Sequence, residues 1–252
     1  MNVSICIPTK SRPLQLNYFL QNNFSKDFEF VISVERNEMS LYDKIITEYP
    51  VNVIVLDNDK GIGHARSKLA EWSYNNCCEI SLFFDDNVQI KIGNIRNMIE
   101  EFENNEVQYL SGCNYLNVSA QRLSSESFEK IFPVYRLMAQ VFAFRTNIMD
   151  REINFDDKLY ILEDADFILK ILTTFYPKDV IFAHSKVHFI KSRWQQGGNR
   201  FHDDDNNLIF AVHRINNRFG FPVIRMTDNV EIRDKIRGDV KGYLDFLEMT
   251  KF

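Results

Sequence analysis

The chain has 252 residues, 45% hydrophobic and 26% charged, with a net charge of −5. That balance excludes a disordered chain and a generic polyanion binder, and the length supports a substantial core. Cys6, Cys77, Cys78 and Cys113 show no paired metal-ligand spacing, and no apolar run approaches bilayer length. Adjacent Cys77 and Cys78 are poorly placed to bridge, the amino terminus lacks an h-region, and a soluble protein of a reducing cytoplasm is expected.

In chain order, a strand is predicted over 3–7, broken by Pro8, Thr9, Lys10, Ser11, Arg12 and Pro13 before a helix over 14–21. A strand over 28–34 ends in Glu35 and Arg36 and leads to a helix over 40–48. A third strand over 51–56 closes in Asp57, Asn58 and Asp59, and Gly61 and Gly63 open a helix running to 74. The strand over 80–84 then delivers Asp85, Asp86 and Asn87. Beyond it come a helix over 94–104, strands over 108–113 and 141–145, a polar excursion over 114–129, and a helix from Glu163 to 175. One or two strands over 180–190, a polar Gly-containing loop over 194–200, a helix capped by Asp203–Asp205 and running to 219, and an amphipathic helix over 240–249 complete the chain.

Strands alternating with helices, each strand nearly all apolar, argue a mostly parallel sheet covered on both faces. Glu35, Asp57 and Asp85 each follow the last apolar residue of a strand, so one edge of such a sheet should collect them, where α/β folds bind ligands. Taken alone, Asp85–Asn87 is more simply an Asp/Asn turn; three strands ending alike shift that balance. Oxygen ligands at a strand end suit a hard divalent cation carried on a phosphate-bearing substrate.

Gly61 and Gly63 at a strand-to-helix junction would let backbone N–H groups approach an anion, with Arg66 reaching a diphosphate. Glycines serve ordinary tight turns equally well, and G-x-G-x-x-G is not completed here. Glu163, Asp164 and Asp166 at a helix start are explained in part by the macrodipole; a carboxylate held at such an edge also serves as a general base. His188 would complete a metal site with Asp85 and Asn87, His184 and His202 being alternatives, although a lone histidine is more often structural.

Basic character is confined to 178–241, with twelve Lys/Arg against eight Asp/Glu. There Arg193 adjoins Trp194, Arg200 adjoins Phe201 and Arg218 adjoins Phe219, a pattern suited to phosphate contact plus base stacking. Arg214 and Arg218 share that helix; a solvated helix face explains them as well.

The order Pro-Thr-Lys-Ser-Arg-Pro, Glu35, Asp57, Gly-Ile-Gly-His-Ala-Arg, Phe-Phe-Asp-Asp-Asn and Leu-Glu-Asp-Ala-Asp resembles the GT-A class of nucleotide-sugar glycosyltransferases over about residues 1–200. More narrowly it resembles the TET/JBP-associated glycosyltransferases of phages and some eukaryotes, which act on hydroxymethylated pyrimidines in DNA. The resemblance implies that Pro8, Thr9, Arg12, Glu35 and Asp57 hold the base and ribose of the donor, and that Gly61, Gly63 and Arg66 face its diphosphate. Asp85, Asp86 and Asn87 stand at the Asp-x-Asp motif; Asn87 departs from it, leaving open whether Asp86 binds the metal. Asp85, Asn87 and His188 would be the metal ligands. Glu163 and Asp164 match the Glu-Asp pair that supplies the base, and Gly197 with Gly198 matches an acceptor loop flanked by Trp194 and Arg200. Ile190 stands where processive synthases have the Gln of Gln-x-x-Arg-Trp, which argues against a polymerising enzyme.

The expectation is therefore one GT-A-like domain over 1–252, its donor half over 1–113, its acceptor and catalytic half over 114–200, and a basic helical extension over 201–252. It would be an inverting enzyme using Mn2+ or Mg2+ and a nucleotide sugar, a UDP-sugar first. The acceptor would be hydroxymethylcytosine in DNA or a sugar already on it, bound in part by Arg214 and Arg218, and the enzyme phage-encoded and cytoplasmic, without a membrane partner. The alternatives are a glycosyltransferase acting on a cell-surface glycan and a non-enzymatic nucleotide or nucleic-acid-binding module.

Overall fold

A computed structural model describes residues 1–57, 60–104, 110–113, 121–122, 141–175, 181–182, 189–191 and 205–219. Its first half repeats one unit. Strand β1 (Val3–Pro8) leads to α1 (Pro13–Asn23), β2 (Glu29–Glu35) to α2 (Met39–Glu48) through a 3-10 turn, and β3 (Asn52–Leu56) to α3 (Gly61–Asn75) before β4 (Ile80–Phe84). Pro13 starts α1 because its missing N–H is not required in the first turn.

These strands lie in a six-stranded sheet of order β3-β2-β1-β4-β8-β6, where β6 is Leu110–Cys113 and β8 is Val141–Arg145. The four strands β3, β2, β1 and β4 are mutually parallel; Ile5, for example, lies opposite both Phe30 and Leu82. Strand β8 runs antiparallel between β4 and β6, the one reversal in an otherwise parallel sheet. The expected alternation of strands and helices around a mostly parallel sheet is what forms.

Alternation along the strands assigns the two faces. Ile5, Ile7, Ile32, Leu82 and Phe84 pack with Phe19 of α1, Ile45 of α2 and Met98 of α4 (Ile92–Glu103). On the opposite face Phe83, Phe142 and Phe144 gather with Phe155 and with Phe167 of α5 (Glu163–Phe175); Phe155 stacks on Phe167 with centroids 4.0 Å apart. This aromatic cluster anchors the acidic end of α5 to the sheet.

Short strand β5 (Val88–Ile90) was not anticipated by the sequence pattern; three residues directly after an Asp-Asp-Asn turn carry too little periodicity. It pairs antiparallel with β10 (Phe189–Lys191), while β7 (Gln121–Arg122) pairs with β9 (Ile181–Phe182). Helix α6 (Asp205–Phe219) begins at the expected acidic run. The helix expected over 240–249 and most of the excursion over 114–129 lie outside the described residues. Among the described residues no helix is long and apolar enough to cross a membrane.

Candidate active site

Because β1 to β4 are parallel, Pro8, Glu35, Asp57 and Asp85 emerge at one edge of the sheet, as their positions after apolar runs implied. The loop after β1 is clasped on three sides. Lys10 Nζ stands 2.8 Å from Glu35, and the backbone N–H of Ser11, held at φ 53°, donates to Glu38 at 2.7 Å. Arg12 Nη1 and Thr9 Oγ1 donate to the two oxygens of Asp86 at 2.8 and 3.0 Å, and the Tyr42 hydroxyl accepts from Arg12 N at 3.1 Å. Asp57 pairs with Arg36 on the exposed rim.

Asp86 is thereby turned inward. Burial raises its pKa to about 6 against the opposing pull of Arg12. The acidic run is thus divided: Asp86 holds the loop after β1, whereas Asp85 keeps a partly exposed carboxylate. Asn87 Oδ1 is buried without a hydrogen-bond partner among the described residues. An uncommitted amide oxygen two residues after a partly exposed carboxylate is the donor chemistry that Mg2+ or Mn2+ accepts. Among the described residues no three His, Cys, Asp or Glu side chains could hold a metal together. Two protein oxygens suit a cation that brings diphosphate and water ligands with it.

Arg66 departs from expectation. The residue is 4% exposed, and its guanidinium donates to Glu163 Oε1 at 2.6 Å and to Asp85 Oδ1 at 3.0 Å and lies over the Phe142 ring. It faces carboxylates because three acidic groups surround it, their attraction outweighing burial and holding its pKa up. Glu163 and Asp164 are both buried, and burial pushes both above the ordinary carboxylate range in spite of Arg66. Asp164 Oδ1 accepts the backbone N–H of Ala165 at 2.8 Å. A buried acid pair with one shared cation is a site that stores and accepts a proton near neutrality.

The two glycines also work differently from an anion cradle. A Cβ at Gly63 would come within 2.4 Å of the carbonyl oxygens of Asp156 and Leu159, and its N–H already donates to Leu159 O at 3.0 Å. Gly61, at φ +83°, lies under the Tyr160 ring. Their small size lets the 156–163 segment dock on the first turn of α3, which brings Glu163 to Arg66. A reading from local pattern sees a Gly-rich helix start but not the segment 97 residues away that covers it.

Arg214 and Arg218, expected at an acceptor phosphate, are engaged by carboxylates. Arg214 donates to Asp156, and Arg218 to Asp156 and to Asp166. Asp156, Tyr42 and Glu38 were not singled out by the sequence, whereas Tyr160 entered it only as the start of the apolar run 160–162 before Glu163. Strand β10 approaches the acidic run with its Lys191 end, since Lys191 pairs with Val88 and Phe189 with Ile90. His184, His188, His202, Trp194, Gly197, Gly198 and Arg200 lie outside the described residues.

No protein-family model matches the sequence, and no curated protein matches it. Solved structures share its fold. S. aureus TarS 1-349 in complex with UDP-GlcNAc superposes with a TM-score of 0.64 at 16% identity, over 96% of this chain and 72% of that one. A second structure of S. aureus TarS 1-349 gives 0.61 at 16% identity, over 100% and 74%. The mannosyltransferase PcManGT from Pyrobaculum calidifontis, in complex with GDP-Man and Mn2+, gives 0.55 at 13% identity, over 96% and 69%. At these identities the likeness is one of fold: the chain has the Rossmann-like sheet of GT-A-type enzymes. It bears on the GT-A part of the resemblance and not on the narrower TET/JBP-associated part.

Proposed function

We propose that this chain is a nucleotide-sugar glycosyltransferase in which Asp164 is the general base and Glu163, fixed by Arg66, orients the pair. The observation that carries the reading is the buried Glu163–Asp164 pair beside Arg66 and Asp85, at the edge where a GT-A-type sheet ends its parallel strands. Thr9, Arg12 and Glu35, preorganised by Asp86, Tyr42 and Lys10, would line the donor side. Asp85 and Asn87 would hold a divalent cation, whose chemistry there is to neutralise the departing diphosphate. The acceptor hydroxyl would lose its proton to Asp164 Oδ as its oxygen forms a bond to the anomeric carbon. The carbon–oxygen bond to phosphate breaks with its electron pair leaving on the nucleoside diphosphate. A base attacking through the acceptor in one displacement inverts the anomeric centre.

For the acceptor, the sequence resemblance supports hydroxymethylcytosine in DNA or a sugar attached to it, with a UDP-sugar as donor and a phage-encoded, cytoplasmic enzyme. A flipped base would be needed to reach the crevice. The engagement of Arg214 and Arg218 by Asp156 and Asp166 favours the second reading, a glycan hydroxyl, because those cations are already neutralised. Incubation with Mn2+, a panel of nucleotide sugars and either hydroxymethylcytosine-containing DNA or glycan acceptors, read by mass spectrometry, separates them. A hexose or pentose increment on digested nucleosides supports DNA. An increment only on a glycan supports the second reading, and neither increment nor donor hydrolysis overturns the enzyme.

A further inference from the structure

We infer that Arg218, assisted by Arg214, is a positioning residue that holds the base-bearing segment 156–166 in register from α6. This rests on the reading of Asp164 as base. The segment leaves the aromatic cluster at Phe155, turns at Asp156, covers Gly61 and Gly63, and enters α5 through Leu162, a non-glycine residue at φ 59°. That conformation persists only where the surroundings fix it. Its backbone is tied by Leu159 N–H to Asp156 O at 3.1 Å, Lys158 N–H to Asp156 Oδ1 at 3.1 Å, Ala165 N–H to Asp164 Oδ1 at 2.8 Å and Asp166 N–H to Leu162 O at 3.0 Å, and Gly63 of α3 donates to Leu159 O at 3.0 Å.

Both ends of the segment are carboxylates buried against the protein, and one arginine spans them. Arg218 Nη1 donates to Asp166 and Nη2 to Asp156; Arg214 adds a bond to Asp156 Oδ1 at 3.1 Å. Lys170 completes the cluster, 2.9 Å from Asp166 Oδ2 and donating to Asn154 O at 2.8 Å. A guanidinium presents donors in a fixed fork, so fixing Asp156 and Asp166 to one plane sets the distance between the two ends of the turn. Glu163 and Asp164 lie between those ends. A loosening at Asp166 therefore moves the base by one helical turn's leverage, while the loop that lines the donor side, on β1 and β2, is untouched.

The test compares Arg218→Met, Arg218→Lys and Arg214→Met with wild type, by steady-state transfer and by hydrogen exchange of peptides covering 156–166. In Arg218→Met, kcat is expected to fall at least ~10-fold with KM for both substrates within twofold, because misplacement costs rate rather than binding. Exchange in 156–166 should quicken ~10-fold, with β1 and β4 unchanged. Arg218→Lys should recover part of kcat, since an ammonium reaches one carboxylate but not both. Arg214→Met, which leaves Asp166 paired, supplies a milder loosening at the Asp156 end should Arg218→Met not fold. Unchanged exchange at 156–166 overturns the inference, as does a rise confined to the acceptor KM, which would make Arg218 a binding residue. If wild type transfers no sugar, the activity reading fails, and exchange alone still decides whether Arg218 holds the segment.

Discussion

Arg66 Nη1 lies 2.6 Å from Glu163 Oε1, joining the second turn of α3 to the first turn of α5, both side chains almost wholly removed from water. Each group depends on the other. Replacing Arg66 with Met leaves Glu163, Asp164 and Asp85 without their shared cation, and breaking such a buried pair costs about 3–5 kcal/mol. Urea unfolding of Arg66→Met should show that loss; a change below ~1 kcal/mol would mean the cluster is solvated.

Asp164→Asn retains shape but cannot take a proton. Its kcat should fall ~10²–10⁴-fold with donor affinity within twofold, which isothermal titration with the nucleoside diphosphate and Mn2+ checks. Retained turnover would transfer the role of base elsewhere.

The same burial gives transfer an acid limb. Because Glu163 and Asp164 hold their protons above the ordinary carboxylate range, activity should fall on acidification with an apparent pKa above ~5, where an exposed carboxylate would give ~4. A pH-rate profile with its acid limb at ~4 contradicts this environment.

Asp156 works in the opposite direction. Burial would raise its pKa, but hydrogen bonds from Arg214 and Arg218 outweigh it and bring it to about 2. Its folded value lies below its unfolded one, so the stabilisation is present above pH ~4 and is lost as pH falls toward 2. The arginines are about a third exposed, so screening holds the effect to about 1–2 kcal/mol. Asp156→Asn should flatten the stability curve between pH ~4 and ~2, as read by thermal melts; an unchanged slope removes Asp156 from the account.

Gly63→Ala would set a Cβ 2.4 Å from two backbone carbonyl oxygens and push the 156–163 segment off α3. About 1–3 kcal/mol of stability should be lost, together with most of the transfer activity. Gly93→Ala, with nothing within 4 Å of the added carbon, is the control and should be silent in both measurements.

Asn87→Ala removes an uncommitted buried oxygen and should raise the Mn2+ concentration for half-maximal transfer ~10-fold or more without altering unfolding by more than ~1 kcal/mol. A metal response identical to wild type assigns that oxygen to water instead.

The sheet, its parallel strands and the edge at which Glu35, Asp57 and Asp85 appear are legible in the amino-acid order alone. Those rest on short, nearly all-apolar runs alternating with helical segments and on strand-end polarity, which are local and written in consecutive residues. That order also singled out Glu163 and Asp164. Which charges meet is set by packing: Arg66 turns to Glu163 rather than outward, Asp86 to Thr9 and Arg12, and Arg214 and Arg218 to Asp156 and Asp166. A lone basic or acidic side chain reads identically whether it faces a ligand or a buried partner. The choice depends on what long-range packing places within ~4 Å, and on desolvation, which makes an unpaired charge costlier than any local preference. The glycines of α3 follow the same logic, small because the 156–163 segment is folded against them.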